Sequence, residues 1–174
     1  MSAQAPTSGS ETDETDDEEA CIVAAISGSE ASRVLELAAR LARRGWSRAA
    51  LHVVHVFRTG AMDRAPAGGE RGEELADEAR LFLAHHVRMA SRQCSCPVTG
   101  HFTIGAPTRE IMRIARAVDA SVIVVGRVER MMLGRLLMGS VGDEVVRAAT
   151  CSVVVVGKTS TRASGARSAR GVDR

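Results

Sequence analysis

Gly126, Gly139 and Ser140 are the residues whose types and spacing carry most chemistry. An apolar run ends at Gly126, a glycine-punctuated stretch carries Gly134 and Gly139, and Ser140 opens a segment with helical apolar spacing (Val141, Val145, Val146, Ala149). A strand that feeds a glycine loop into a helix N-terminus makes an anion cradle, because free backbone N–H groups and the helix dipole converge on the ligand. A plainer task fits the same residues. Ser140 can serve as the N-cap, with Asp143 and Glu144 favouring the positive helix end. The sequence leaves both readings open.

Other candidate chemistry is weaker. Gly157-Lys158-Thr159 follows an apolar run, but a phosphate-binding P-loop needs glycine at position 152, where Ser152 stands. Cys94-x-Cys96 has neither the C-x-x-C spacing of a redox pair nor a second pair at zinc spacing, so a loop thiol and a buried thiol are expected. His52 and His55 lie three apart in a predicted strand, hence on opposite faces, and do not share a metal. His85 and His86 have no ligand four residues on and read as solvated or interface side chains. No nucleophile–base pair is legible, so the chain is not expected to be an enzyme.

These residues must be positioned by an aliphatic core. The chain has 174 residues, 45% hydrophobic and only 2% aromatic, with no tyrosine. One domain of that length buries roughly two-thirds of its unfolded surface. So few rings leave no stacking platform for single-stranded nucleic acid, and a net charge of +2 is too small to argue for DNA. An acidic block, Glu11–Glu19, and a C-terminal stretch holding Arg162, Arg167, Arg170 and Arg174 read as disordered tails over 1–20 and 158–174. The start lacks a basic, then apolar, leader, and no apolar run reaches the length of a membrane span. A cytoplasmic location with reduced cysteines, and no membrane partner, is expected.

Five apolar runs predict strands: Cys21–Ile26, Ala49–Phe57, Val98–Thr103, Ser121–Gly126 and Ser152–Val156. Helical stripes alternate with them: Val34, Leu35, Ala38 and Leu41; then Leu75, Ala79, Phe82, Leu83 and Val87; then Ile111, Ile114, Ala115 and Val118; then the segment after Ser140. Ser27-x-x-Glu30 predicts a capping box, Gly45 a helix end, and Pro107 a helix start. This alternation predicts an α/β fold, a single-domain doubly wound five-stranded parallel sheet. Ligands of such sheets sit beyond the carboxyl ends of the strands, here those of the first and fourth. The four valines of the last strand form an edge that a second copy would close.

Over residues 21–157 the chain resembles the universal stress protein family. The resemblance rests on I-V-A-A-I-S-G-S-E-A-S from Ile22, on G-A-P-T-R-E-I-M-R-I-A-R-A-V-D-A-S-V-I-V-V-G from Gly105, and on Gly126-x2-Glu129-x9-Gly139-Ser140. It implies strand order 3-2-1-4-5, a fold like that of the adenine nucleotide alpha-hydrolases, and a cytosolic homodimer paired through the last strand. It also implies a stress-response regulator, one subset of the family binding ATP, here with magnesium. By that resemblance adenosine would lie near Ala25, Ile26, Ser27, Val56 and Val125, and phosphates on Gly126, Arg127, Gly139, Ser140, Val141 and Gly142. Two positions depart from the family pattern: its second loop glycine is Glu129, and its first-strand aspartate is Ser27. A carboxylate about 6 Å from a phosphate charge costs roughly 3 kcal/mol at an effective dielectric of about 20. The alternative is therefore a dimeric module of the same fold that binds no nucleotide and contacts an unknown protein partner.

Overall fold

The β-branched runs pair and the striped segments cover them. The computed structural model describes residues 19–58, 69–127 and 140–157. The strands are β1 (Glu19–Ala25), β2 (Arg48–Phe57), β3 (Val98–Ile104), β4 (Ala120–Gly126) and β5 (Ser152–Val156). Every pairing is parallel, in the order β3-β2-β1-β4-β5. The helices are α1 (Ala31–Arg44), α2 (Glu70–Gln93), α3 (Pro107–Ala117) and α4 (Val141–Ala148). All five predicted strands and four predicted helices are present, with the strand order that the resemblance implies.

Two apolar layers explain why the central strands are apolar nearly throughout. On one face Ile22, Ala24, Leu51, Val53 and Val124 pack beneath α1 and α2. On the other, Val23, Ala25, Val54, Ile123 and Val125 pack beneath α3 and α4, with Val145 fully buried. Successive residues point to opposite faces, so a strand covered on both sides has no polar side to show. Fully burying such a side chain stabilises by about 1.5–3 kcal/mol.

Three local expectations are corrected. β1 starts at Glu19, and Ala20 is buried, so these two residues belong to the sheet rather than to the acidic tail. Ser27 and Glu30 form no capping box. A single 3-10 turn, Gly28–Glu30, intervenes before α1, with Gly28 at φ +52°. Glu30 itself is the residue preceding α1, and its carboxylate takes Arg33 at 2.9 Å. Cys94 and Cys96 are joined in a disulfide. The chain bends after α2 so that their Cα atoms lie 5.2 Å apart, within disulfide reach although only Ser95 separates them. Cys21 and Cys151 are free thiols, each half-buried. The acidic tail before Glu19, the 158–174 tail and the Gly157-Lys158-Thr159 motif beyond Gly157 lie outside the described residues. No helix among the described residues is long and apolar enough to cross a membrane.

Candidate functional site

A cavity of about 290 Å³ opens at the carboxyl end of the sheet. It is close to the lower end of small-molecule sites, which run roughly 300–1,000 Å³. Three strand ends and two helix starts build it. β1 and its continuation bring Ala25, Ile26 and Ser27, β2 brings Val54, Val56 and Arg58, and β4 brings Val125 and Gly126. Pro107 and Ile111 come from α3, and Ser140 and Val141 from the start of α4. Most of the lining is aliphatic, and Ser27, Arg58 and Ser140 are its polar members. An apolar slot with a few convergent polar groups suits a flat heterocycle carrying a charged tail.

Ala25, Ile26, Ser27, Val56, Val125, Gly126, Ser140 and Val141, all singled out in the sequence, are brought together here. Arg127 and Gly142 are not part of the lining. The Arg127 N–H donates to the Val156 carbonyl at 2.9 Å, extending the ladder between β4 and β5, so it is not available to a ligand. Gly142 packs instead: a Cβ there would lie 3.5 Å from Val155 Cγ1 and 3.6 Å from the Gly126 carbonyl oxygen. Gly139, with Glu129 and Gly134, lies outside the described residues. Val54, Arg58, Pro107 and Ile111 line the cavity but were not named from sequence. Strand periodicity carried a usable signal, since residues 54, 56 and 58 share one face. Ile111 likewise lies one turn beyond Pro107, on the same side of α3.

The start of α4 decides what the site can offer an anion. The Asp143 N–H donates to Ser140 Oγ at 3.2 Å, and the Glu144 N–H to the Ser140 carbonyl at 3.1 Å. The Asp143 carboxylate in turn accepts from the Ser140 N–H at 3.0 Å and the Ser140 hydroxyl at 2.9 Å. This is a complete capping box. The hydrogen bonds from the Ser140 side chain and backbone, with Arg127 and Arg147 nearby, hold the Asp143 carboxyl below the usual range. Val141 and Gly142 are the first two residues of α4, where a helix offers its own backbone N–H groups no acceptor. Val141 brings this first turn to the cavity wall, and the Asp143 carboxylate sets a negative charge at the same helix start. Across the opening, Thr108 donates to Glu144 at 2.6 Å and ties α3 to α4.

Gly126 is where backbone must approach closely. A Cβ there would come within 3.2 Å of the Glu30 Cβ and 3.4 Å of Val34 Cγ2. Without it, the turn before α1 closes against the end of β4, and Arg33 reaches the Gly157 carbonyl.

No histidine lines this cavity, though His55 Nδ1 lies 3.0 Å from the carbonyl oxygen of the lining residue Ile26. His52 Nδ1 and His101 Nε2 lie 3.0 Å apart on neighbouring strands. Burial lowers the pKa of both, and for His101 the His52 and Arg113 charges add to it. His55 is on the opposite face, its ring 4.9 Å from that of Phe82. His85 is exposed, and His86 bonds the Phe82 carbonyl at 2.8 Å. Among the described residues no three His, Cys, Asp or Glu side chains are grouped to hold a metal ion.

Known proteins resemble this chain in sequence and shape. The model of the Universal stress protein family matches residues 21–157. A universal stress protein of Methanocaldococcus jannaschii is 29% identical over 112 residues, which are 63% of this chain and 66% of that relative, just under two-thirds of its length. The structure of the universal stress protein from Archaeoglobus fulgidus in complex with dAMP is similar with a TM-score of 0.54 and 25% identity, covering 80% of this chain and 98% of that one. A universal stress protein family protein of Arabidopsis thaliana, with AMP bound, has a TM-score of 0.56 over 81% of this chain and 93% of its own. At 16% identity that likeness shows the fold alone.

Proposed function

Because the chain belongs to the universal stress protein family, we propose that it is a cytoplasmic, dimeric stress-response regulator that binds an adenine nucleotide and catalyses no dedicated reaction. The observation that carries this reading is the joining of an aliphatic cavity to the start of α4, whose leading N–H groups have no acceptor within the helix. Ala25, Ile26, Val56, Ile111 and Val125 receive the adenosine. The Val141 N–H group, with Ser140 and Gly126 beside it, receives the first phosphate. The dAMP complex of the Archaeoglobus fulgidus protein supports a nucleotide of this class. ATP is the nucleotide proposed, and its magnesium ion is held by the phosphates rather than by a cluster of side chains. The dimer forms along β5, which lies at the sheet edge with Val155 exposed.

Calorimetric titration of the full chain with AMP, and with ATP and magnesium, tests the binding. Saturable heat and a raised Tm are expected for both, with ATP the tighter. No heat and no thermal shift at millimolar nucleotide removes the proposal. Sedimentation tests the dimer; a chain that stays monomeric removes that part alone.

One observation favours a second reading, a nucleotide-free interaction module with a protein partner. Asp143 already occupies the Ser140 N–H and hydroxyl, the groups a phosphate would otherwise meet first. The two readings divide at Glu129→Gly. If the wild type is silent and this variant binds ATP, the cradle is a remnant and the module reading stands.

A further inference from the structure

At the opposite end of the sheet a cleft of about 650 Å³ holds the Cys94–Cys96 disulfide beside Trp46, Arg43, Arg48 and Glu19. We propose that this disulfide is a redox-active site that exchanges with small or protein dithiols entering the cleft. The bond is a poor staple. Cross-links stabilise mainly by restraining the unfolded chain, an effect that shrinks with the enclosed loop, and this loop encloses one residue. Its surroundings suit exchange instead. Cys94 is buried, whereas Cys96 is half-buried, and both line the cleft. Arg43 reaches over from α1 and donates to the Gln93 carbonyl at 3.0 Å, next to Cys94. Arg43 and Arg48 line the cleft with both cysteines, and Arg48 meets the lining acid Glu19 at 3.7 Å. Cations lining the cleft favour thiolate at the cysteines exposed to it, and so the opening of the disulfide between them.

The exchange balances in two steps. A thiolate of the incoming dithiol attacks Cys96 Sγ, the bond to Cys94 breaks, and Cys94 leaves as thiolate. The reagent's second thiolate then displaces Cys96 and closes its own disulfide. Two electrons pass to the protein, and the dithiol's two protons end on Cys94 and Cys96. In the proposed cytoplasmic setting, disulfides are characteristically transient and catalytic or redox-sensing. The site does not depend on whether the cavity at the other end holds a nucleotide.

Trp46, the single tryptophan of the chain, lines the same cleft and supplies the readout, because a neighbouring disulfide quenches indole emission. The full chain carrying Cys21→Ser and Cys151→Ser is titrated with dithiothreitol under native conditions. Two free thiols and a rise in Trp46 emission are expected, both reversed by oxidised glutathione. Cys94→Ser and Cys96→Ser variants should show neither response, and Arg43→Gln should slow the exchange several-fold. If the double serine background folds poorly, peptide mapping of alkylated wild type reads the same bond. Thiols released only after denaturation would make the bond an inert staple and overturn the proposal. So would a pair isolated fully reduced that oxidised glutathione does not close.

Discussion

Two helix starts flank the cavity with the same sequence pattern, a serine followed three residues later by an acid, and they behave differently. At Ser140 the helix begins on the next residue, so Ser140 and Asp143 close a capping box. At Ser27 the 3-10 turn over Gly28–Glu30 comes first, and Ser27 makes no side-chain cap. Glu30 is drawn to Arg33, and its stem packs against Gly126. A capping pattern therefore specifies a cap only where the following residues enter the helix directly. At the Ser140 end the serine and the Asp143 N–H are spent on the cap; at the Ser27 end the serine lines the cavity without capping duty.

That contrast can be broken most sharply at Val141. Val141→Pro removes the leading amide of α4, and the helix tolerates proline at its first position. Ser140 already has the extended backbone (ψ 159°) that a following proline requires. Nucleotide affinity should fall about tenfold, the worth of one charge-assisted hydrogen bond, while the far-UV circular dichroism is kept. Unchanged affinity in calorimetry would remove the Val141 amide from the site.

The next effect is on stability. Ser140→Ala should cost about 1 kcal/mol in urea unfolding, the usual worth of an N-cap. Ser27→Ala should stay within about 0.5 kcal/mol, as for a surface change away from any such feature. Equal costs would erase the distinction between the two starts.

The smallest effects belong to Asp143. Asp143→Asn keeps an acceptor for the Ser140 N–H but deletes the charge, so nucleotide should bind a few-fold more tightly. The same variant sharpens the pH dependence. The folded carboxyl titrates below its unfolded value near 3.8. Its contribution is therefore fully present above the unfolded pKa and is lost as pH falls through the folded one. Thermal melts should show a shallower acid loss in Asp143→Asn than in wild type, and identical acid limbs would mean that the capping box contributes nothing.

Much of this was legible residue by residue. The runs at Ile22, Leu51, Val98, Val122 and Val153 read as strands because burial on both faces leaves no polar alternation to confuse the pattern. The Ser140 cap was legible because its partner lies three residues away in the same helix. Cys94–Cys96 was not, since spacing rules describe pairs held by a helix turn or a zinc ion, whereas here a bend after α2 brings the two together. His101 beside His52 was equally hidden, because strand register links residues 49 apart.

By itself the sequence determined the alternating elements, the aliphatic core, the family likeness and the carboxyl-end location of the cavity. These depend on local propensity, periodicity and motif spacing, which are written along the chain. Only the tertiary structure decided that Ser140 and Val141 meet the cavity, that Arg58 and Ile111 complete the wall, and that a disulfide sits in a cleft with the one tryptophan. Each of those depends on groups from separate elements meeting in space, and pairwise distance is not a property of a linear pattern.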